Sequence, residues 1–420
     1  MNSPVWHPFT QHATEPAPPL IARTEGAYLE TAEGRRILDA ISSWWVITHG
    51  HRHPAIMSAI RAASEELDQL IFAGFTHPYA EALARELVTL APPGLIRVFY
   101  SDSGSTSVEV ALKMALGTFR NKGEARHRIV VMEASYHGDT IGAMSVGARG
   151  VFNAAYEPLL FEVDRIPFPA PGKEQETLDA FEAATRGGKA AALIIEPLVL
   201  GAGGMLMYPP AILSELSRIA RETGTLFIAD EVMTGWGRTG TMFACEQAGI
   251  SPDILCTSKG LTGGAIPLAA TLASEEVFAA HYSQDRSRTF FHSSSYTANP
   301  IACAAGLANV KVWQQEPVAE RVAALCAMQA ERIAQFADDG RFENARRCGT
   351  ITALDLKVPG AGYLAEAGPK MRAFFLEQGL LVRPLGNVLY LMPPYCVTAD
   401  ELDRLYAAIH EAGDRFGSPS

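Results

Sequence analysis

Long uncharged apolar runs are lacking in the 420-residue sequence, and none approaches the roughly 20 residues that a membrane-spanning helix needs. The first residues, MNSPVWHPFTQHATEPAPP, also lack the basic segment followed by an apolar segment that is typical of a secretory signal. We therefore expect a cytoplasmic protein without a membrane partner.

Basic residues are too few to favour binding to nucleic acid. The chain has 35 Lys and Arg against 46 Asp and Glu, a formal net charge of -11, whereas binding to a phosphate backbone depends on positive charge. Apolar residues make up 48% and charged residues 19%, which is the balance of an ordinary folded protein and not of a disordered one. We expect no nucleic-acid partner.

Closely spaced cysteines are lacking too. The six cysteines lie far apart and form no C-x-x-C pair, which argues against zinc or redox chemistry. His49, His51 and His53 form an H-x-H-x-H run, but no Cys or carboxylate cluster follows it at ligand spacing. Because zinc needs three or four converging ligands, we predict that the protein has no metal site.

The middle of the chain alternates short β-branched runs with helical patterns. The runs predict strands at residues 128–132, 192–195, 225–229 and 254–257. Residues 210–221 have the pattern of a helix that begins at prolines and ends before a glycine, so the second and third strands are joined by a βαβ crossover. Apolar residues at helical spacing also predict a helix over 104–120. The fold class is therefore α/β, with a mostly parallel sheet flanked by helices.

The pattern changes near the C-terminus. After about residue 310 the sequence predicts a long amphipathic helix, short strands at 351–356 and 389–392, and a final helix at 399–416. We predict a large domain over 46–310 and a small α+β domain over 311–420. Residues 1–45 are too few to form a core alone, so we expect this segment to pack with the small domain.

Three charged residues follow predicted strands of the parallel sheet. Glu196, Asp230 and Lys259 each come directly after a β-branched run or within two residues of its end. Ligands of open parallel sheets bind at the carboxyl ends of the strands. We expect these three side chains to share one pocket.

Pyridoxal phosphate needs a lysine amine, a carboxylate for its ring nitrogen and donors for its phosphate, and Lys259 and Asp230 match the first two needs. The turn that precedes the helix at 104–120 is either a phosphate site at a helix N-terminus or a simple N-cap. Tyr136 in the motif SYHGD is either a residue that stacks on a cofactor ring or an ordinary core tyrosine. Sequence alone leaves both alternatives open.

One motif points to a different cofactor. Residues 235–240 match the G-x-G-x-x-G pattern of dinucleotide-binding proteins and follow a predicted strand. A Rossmann loop opens a long helix and is followed by an acidic residue at the end of the next strand. The stretch 241–249 is too short for that helix, and Asp253 precedes its strand. We reject the dinucleotide hypothesis and expect the glycines to form a turn beside the cofactor.

Six motifs together resemble the class III, fold-type I pyridoxal-phosphate aminotransferases in order and spacing, over nearly the whole chain. They are SDSGSTSVEVALKMA, SYHGD, IIEPLVLGAGG, ADEVMTGWGRTG, SKGLTGG and SYTANPIACAA. More narrowly, WHPFTQ, SSWW, RPLG and YLMPPY are similar to the biotin-pathway subfamily that aminates 8-amino-7-oxononanoate, usually with S-adenosylmethionine as amino donor. The resemblance implies a pyridoxal-phosphate enzyme that acts on small molecules.

The resemblance also implies roles for the residues of a cofactor site. Lys259 would be the Schiff-base lysine and Asp230 the partner of the pyridinium nitrogen. Gly104 and Ser105 would hold the phosphate, and Tyr136 would stack on the ring. We expect Lys259, Asp230 and Tyr136 to be the catalytic residues.

Further residues are implied to bind the substrate or to act across a dimer interface. Ser294 and Ser295 fall where the family places phosphate contacts that come from a second copy of the chain, so the resemblance implies a homodimer with shared active sites. Arg383 would bind the substrate carboxylate through two parallel hydrogen bonds, which a lysine cannot form. Trp44, Asp139 and Tyr390 would line the substrate pocket.

Phe9 departs from the pattern of the subfamily. Many of its members that use S-adenosylmethionine have a tyrosine at this position, and its hydroxyl is linked to donor and substrate binding. The identity of the acceptor survives this difference, but lysine becomes an alternative donor. The other hypotheses are a class III transaminase of another ω-amino compound, an aminomutase, and a protein that binds the cofactor without turnover.

Overall fold

The strands of this computed structural model, which describes residues 3–417, form three sheets and a two-stranded ribbon. They are β1 (Ile21–Glu25), β2 (Tyr28–Thr31), β3 (Arg36–Asp39), β4 (Leu95–Ser101), β5 (Arg128–Met132), β6 (Asp164–Ile166), β7 (Ala190–Ile195), β8 (Val199–Leu200), β9 (Leu206–Met207), β10 (Leu226–Asp230), β11 (Ile254–Thr257), β12 (Ala269–Ser274), β13 (Phe342–Cys348), β14 (Ile351–Leu356), β15 (Leu380–Leu381) and β16 (Val388–Leu391).

The helices cover both faces of the largest sheet and one side of the smaller ones. They are α1 (Ser42–Trp45), α2 (Pro54–Glu66), α3 (Pro78–Leu90), α4 (Gly104–Lys122), α5 (Ile141–Ser145), α6 (Glu174–Thr185), α7 (Pro210–Thr223), α8 (Glu275–His281), α9 (Pro300–Gln315), α10 (Val318–Ile333), α11 (Ala367–Glu377) and α12 (Ala399–Phe416). Within residues 3–417, no helix combines the length and the apolar character that crossing a bilayer demands.

The central sheet has seven strands in the order β4-β12-β11-β10-β7-β5-β6. Neighbours from β11 to β6 are parallel, whereas β12 runs antiparallel to both β11 and β4. Every residue of β7 and β10 is buried, as expected of strands that are covered by helices on both faces. Because β4 is antiparallel to β12, the carboxyl end of β4 lies at the same edge as those of the five parallel strands.

Helix α4 begins at that edge. Ser103 caps the helix and forms a capping box with Thr106, and Gly123 ends the helix in a left-handed conformation at φ 76°. Buried apolar residues of α4, among them Val108, Ala111 and Ala115, pack against the sheet. The N-terminus of α4 is thus fixed beside the ends of the central strands.

The N-terminal strands pair with the C-terminal part of the chain. β1, β2 and β3 form a sheet with β15, and Leu38 of β3 lies opposite Leu380 in a parallel pair. β13, β14 and β16 form a second small antiparallel sheet. Ala27 and Leu38 belong to the same apolar cluster as residues of α11 and α12. The N-terminal strands therefore contribute to the C-terminal core.

The secondary structure agrees closely with the sequence pattern. The predicted strands at 128–132, 254–257 and 351–356 and the helix at 399–416 have the predicted bounds, and the other predicted strands and helices are shifted or extended by one or two residues. The long amphipathic helix expected after about residue 310 corresponds to α10, which is separate from α9. Pro317 stands between them and provides no backbone N–H to continue α9. The domain division at 45 and 310 stays a prediction.

Candidate active site

A cavity of about 800 Å³ lies at the carboxyl edge of the central sheet. Turns that follow four strands contribute its inner wall: Ser103 follows β4, Tyr136 follows β5, Asp230 ends β10, and Lys259 follows β11. Glu196, which follows β7, lies between them. The expectation that Glu196, Asp230 and Lys259 share one pocket is met by this arrangement of strand ends.

Asp230 is fixed at the base of the cavity by two hydrogen bonds. Its Oδ2 lies 2.7 Å from Nδ1 of His137, and its Oδ1 accepts a hydrogen bond from the backbone N–H of Val232 at 3.1 Å. Both side chains are almost completely buried. Among residues 3–417, Nε2 of His137 has no hydrogen-bond partner. Sequence reasoning missed His137, although it belongs to the SYHGD motif.

Lys259 extends into the cavity from a strained backbone. Its φ of 44° lies in the left-handed region, which is unfavourable for a residue with a side chain. Removal of water from the amine lowers its pKa to about 8, although the charges of Asp230 and Glu196 oppose the shift. Nζ lies 4.5 Å from the centre of the Trp45 ring. A substantial fraction of this amine is neutral near pH 8, so it can act as a nucleophile.

Glu196 supports the turn that carries Tyr136. One of its carboxylate oxygens accepts a hydrogen bond from the backbone N–H of Tyr136 at 2.8 Å, and the other accepts one from Gly201 at 2.9 Å. Burial raises the pKa of Glu196 to about 7, and the negative charge of Asp230 adds to the increase. The nearby His137 and the two hydrogen bonds oppose it. Glu196 therefore holds the Tyr136 turn against the central sheet.

The start of α4 forms a close-packed cradle. A Cβ added to Gly104 would lie 2.7 Å from a methyl carbon of Val232, and one added to Gly138 would lie 2.0 Å from Oγ of Ser105. Gly138 also has a φ of 131°, which favours glycine. The first N–H groups of a helix have no acceptor within the helix and favour anions. The cradle therefore fits a phosphate group, beyond the N-cap that Ser103 already provides.

Aromatic side chains line the outer part of the cavity. The ring of Phe9 lies 5.5 Å from that of Trp44 and 6.0 Å from that of Phe152. Phe152 also contacts Tyr363 at 4.4 Å and Tyr136 at 6.5 Å, measured between ring centres. Phe152 and Tyr363 were not predicted from the sequence. The result is a continuous aromatic wall that runs from the Tyr136 turn to the opening.

Arg383 adds a positive charge to the cavity wall. Its guanidinium carbon lies 5.0 Å from the centre of the Trp44 ring, and the side chain is half-buried. No carboxylate of residues 3–417 lies within ion-pair distance of it. Tyr390 lies deeper, where its hydroxyl accepts a hydrogen bond from Nε1 of Trp45 at 2.9 Å. Arg383 is therefore available to a negatively charged ligand.

The double tryptophan is held in an unusual conformation. Ser42, Ser43 and Trp45 have φ values of 54°, 59° and 67°, so three of the four residues of α1 are left-handed. The carboxylate of Asp39 accepts hydrogen bonds from the backbone N–H of Ser43 at 2.7 and 2.8 Å, and it contacts Nε2 of His51 at 2.9 Å. This network offsets the strain of the segment, and both tryptophans line the cavity.

Ten of the predicted site residues line this one cavity and two do not. Those that line it are Phe9, Trp44, Gly104, Ser105, Tyr136, Asp139, Asp230, Lys259, Arg383 and Tyr390. Asp139 lies beside the hydroxyl of Tyr136, whose pKa is raised by burial and by that negative charge. Ser294 and Ser295 lie outside the cavity, and the carbonyl of Ser295 accepts a hydrogen bond from Gln69 at 2.7 Å.

The histidine run at residues 49–53 and the glycine motif at residues 235–240 do not form the metal site or the dinucleotide site that their patterns resemble, as far as residues 3–417 show. His49 contacts Asn309, His51 contacts Asp39, and His53 contacts Glu316, so the three rings have separate partners. Over residues 3–417, no three His, Cys, Asp or Glu side chains converge as metal ligands would. Residues 235–240 form a turn that is followed only by the short 3-10 helix Ala244–Ala248 and not by the long helix of a dinucleotide site.

Known proteins are similar to this chain over nearly its whole length. Residues 9–412 match the sequence model of the family described as aminotransferase class III. The adenosylmethionine-8-amino-7-oxononanoate aminotransferase of Synechococcus elongatus is 47% identical over 98% of this chain and 99% of that protein. The enzyme of the same name from Geobacter sulfurreducens is 36% identical over 97% of this chain and 95% of that protein.

Solved structures of aminotransferases have a fold similar to that of this chain. The adenosylmethionine-8-amino-7-oxononanoate aminotransferase of Methanocaldococcus jannaschii has a TM-score of 0.94 at 32% identity, covering 98% of this chain and 97% of that chain. An amine transaminase from an uncultivated Pseudomonas species, solved in its PLP-bound form, has a TM-score of 0.93 at 32% identity, with 99% and 100% covered. The expected fold class and family are confirmed: this chain belongs to the class III aminotransferases.

Proposed function

We propose that the chain is a pyridoxal-phosphate-dependent aminotransferase of biotin biosynthesis that converts 8-amino-7-oxononanoate to 7,8-diaminononanoate, with S-adenosylmethionine as amino donor. The observation that carries the proposal is the placement of Lys259, Asp230 and the unpaired Arg383 around one cavity. The names of the similar enzymes support the choice of acceptor and donor. We place the enzyme in the cytoplasm, where its six cysteines stay reduced.

The inner half of the cavity fits pyridoxal phosphate. The cradle at Gly104 and Ser105 suits the phosphate, Tyr136 offers an aromatic face to the ring, and Asp230 suits a protonated ring nitrogen. When bound, the cofactor supplies a carbonyl carbon for amine exchange and a ring that withdraws electrons from the substrate. His137 holds the Asp230 carboxylate in one orientation, so that its charge keeps a proton on that nitrogen.

Lys259 provides the amine that binds the cofactor and moves protons. Its pKa of about 8 gives both the neutral and the charged form near physiological pH. The neutral Nζ can take a proton from the substrate carbon, and the charged Nζ can return it to a neighbouring atom. The enclosing ring of Trp45 helps to exclude water from this amine.

The outer half of the cavity fits a long substrate with a terminal carboxylate. Arg383 can form two parallel hydrogen bonds to a carboxylate, and the Trp44 ring holds the guanidinium from one side. The aromatic wall of Phe9, Trp44 and Phe152 offers apolar contact to an aliphatic chain. An acceptor with a carboxylate at one end and a ketone near the other therefore suits this cavity.

We propose that two copies of the chain form the active unit. Ser294 and Ser295 lie outside their own chain's cavity, which fits residues that act on a second copy. Ile71, Phe75 and Tyr296 are 67%, 64% and 63% exposed, and exposed apolar patches often mark contacts between proteins. The Gln69 side chain bonds to the carbonyl of Ser295 and so ties the two segments that carry them. A symmetric dimer would bury these residues.

The first prediction concerns Lys259. After incubation with pyridoxal phosphate and reduction by borohydride, peptide mass spectrometry should find the cofactor on Lys259, and Lys259→Ala should have no adduct. The rate of adduct formation by the apoprotein should rise with pH through a midpoint near 8, because the neutral amine reacts and the lysine pKa is about 8. Asp230→Asn is the control, since it should keep the adduct and lose most turnover. An adduct on another lysine would contradict the assignment.

The second prediction concerns Arg383. Arg383→Ala should lower kcat/KM for 8-amino-7-oxononanoate by roughly 10- to 150-fold, because a hydrogen bond to a charged group contributes about 1.5–3 kcal/mol. Arg383→Lys should recover part of the loss, since a point charge lacks the planar fork. Steady-state kinetics with the acceptor varied provides the measurement. Unchanged acceptor kinetics in both variants would remove Arg383 from the substrate site.

The third prediction concerns the donor. Each donor, added alone, should convert the enzyme to its pyridoxamine form, which absorbance can follow. We expect S-adenosylmethionine to react, with a KM that Phe9→Tyr lowers up to roughly tenfold, because one neutral hydrogen bond contributes about 0.5–1.5 kcal/mol. Phe9→Leu is the control without a hydroxyl. Reaction with lysine but not with S-adenosylmethionine would instead establish lysine as the donor.

The fourth prediction concerns the dimer. Lys259→Ala protomers and Ser295→Glu protomers should each be inactive, because one lacks the amine and the other would place a negative charge beside a phosphate. Mixed dimers should regain one working site, which combines Lys259 of one copy with Ser295 of the other. Activity after subunit exchange and sedimentation of the mixture are the measurements. No regained activity in a mixture that sediments as mixed dimers would contradict sharing through Ser295.

A further inference from the structure

Two arginines line the cavity, and their partners differ. Arg383 faces the cavity without a carboxylate partner among residues 3–417. Arg372, which lies on α11, forms an ion pair with Glu15 of the N-terminal segment. All three side chains contribute to the cavity wall. Both guanidinium groups can thus be reached from the same space, but only one of them is already neutralised.

Glu15 is held in place by both of its carboxylate oxygens. Oε2 pairs with Nη2 of Arg372, and Oε1 accepts a hydrogen bond from the backbone N–H of Gln11 at 3.1 Å. The backbone N–H of Glu15 in turn bonds to the carbonyl of Gln11 at 2.9 Å, which closes a tight turn. Each oxygen thus has one hydrogen-bond partner, and no ion pair joins Glu15 to Arg383 within residues 3–417. The turn therefore presents Glu15 specifically to Arg372.

The carboxylate of Glu15 stays charged in this position. Burial alone would raise its pKa, but hydrogen bonds from Arg372 and Gln11 and the charges of Arg372 and Arg383 lower it overall. The Glu15 side chain is 23% exposed and that of Arg372 is 31% exposed, so water screens the pair only in part. A second carboxylate that approached Arg372 would meet the negative charge of Glu15 at close range.

We propose that Glu15 is a specificity-determining residue: by neutralising Arg372 it leaves Arg383 as the one guanidinium that a substrate carboxylate can use, and so it excludes substrates that carry a second carboxylate. The proposal rests on the proposed role of Arg383. It explains why a cavity with two arginines suits an acceptor with one carboxylate. Amino acids with a side-chain carboxylate are the class of donor that Glu15 would reject.

Titration calorimetry of the holoenzyme tests the proposal without turnover. The probes are unbranched α,ω-dicarboxylates of three to eight carbons and monocarboxylates of the same lengths. In the unsubstituted enzyme, no dicarboxylate should bind more than about twofold more tightly than its monocarboxylate. In Glu15→Gln, at least one dicarboxylate should gain roughly tenfold or more relative to its monocarboxylate, because it can bind both guanidinium groups.

Three further variants separate charge from loosening of the N-terminal turn. Arg372→Met breaks the same ion pair but frees no cation, so it should show no dicarboxylate gain. Glu15→Gln combined with Arg372→Met should lose the gain as well. A gain that persists in either variant, or no gain in Glu15→Gln while its melting temperature is unchanged, would overturn the proposal. In Arg383→Gln, loss of monocarboxylate binding tests the proposed function separately from the role of Glu15.

Discussion

Enclosure of charged groups at one edge of the central sheet governs the chemistry of the cavity. The strand ends bring an amine and two carboxylates into a space from which the protein excludes water. The same desolvation lowers the pKa of Lys259 to about 8 and raises that of Glu196 to about 7, because it disfavours the charged form of both. The two groups thus become able to change charge within the same pH range. The Asp230 carboxylate between them is held in place by its contact with Nδ1 of His137 and by the hydrogen bond from the backbone N–H of Val232.

The walls of the cavity come from three distant parts of the chain, and buried polar contacts hold these parts together. Arg238 is completely buried and donates hydrogen bonds to the carbonyls of Ile47 at 2.7 Å and Pro393 at 2.9 Å. These bonds join the segment that carries the double tryptophan to the segment that follows β16. Ser42 reinforces the joint, because its hydroxyl donates to the carbonyl of Met392 at 2.7 Å. These hydrogen bonds hold the strained backbone of α1 in its conformation.

The sequence could predict the parts that depend on local pattern. The strands at 128–132 and 254–257 consist mainly of apolar residues. The polar residues after parallel strands meet at one edge of the sheet, so Asp230 and Lys259 were found together. Contacts across long separations leave no such pattern. Glu15 and Arg372 are 357 positions apart, and the local sequence around each residue does not predict that they form an ion pair. Phe152 was missed because it lies in an irregular segment without periodicity. The proposed role of Ser294 and Ser295 involves a second copy of the chain, and a pattern within one chain does not test it.

Three arginines of this fold differ in the groups that their guanidinium contacts, and this difference indicates which of them have a structural role. Arg238 is buried without a carboxylate partner among the described residues, but two carbonyls and the ring of Tyr395 at 5.1 Å surround its guanidinium. Arg372 has a carboxylate partner. Among residues 3–417, Arg383 has only the aromatic face of Trp44, which satisfies none of its N–H groups. The guanidinium is half-buried in the cavity wall and no described carboxylate neutralises it, so a ligand that enters the cavity can supply the acceptor. The absence of a carboxylate partner among the described residues, more than the presence of positive charge, is the reason that we propose Arg383 as the residue that binds the substrate carboxylate.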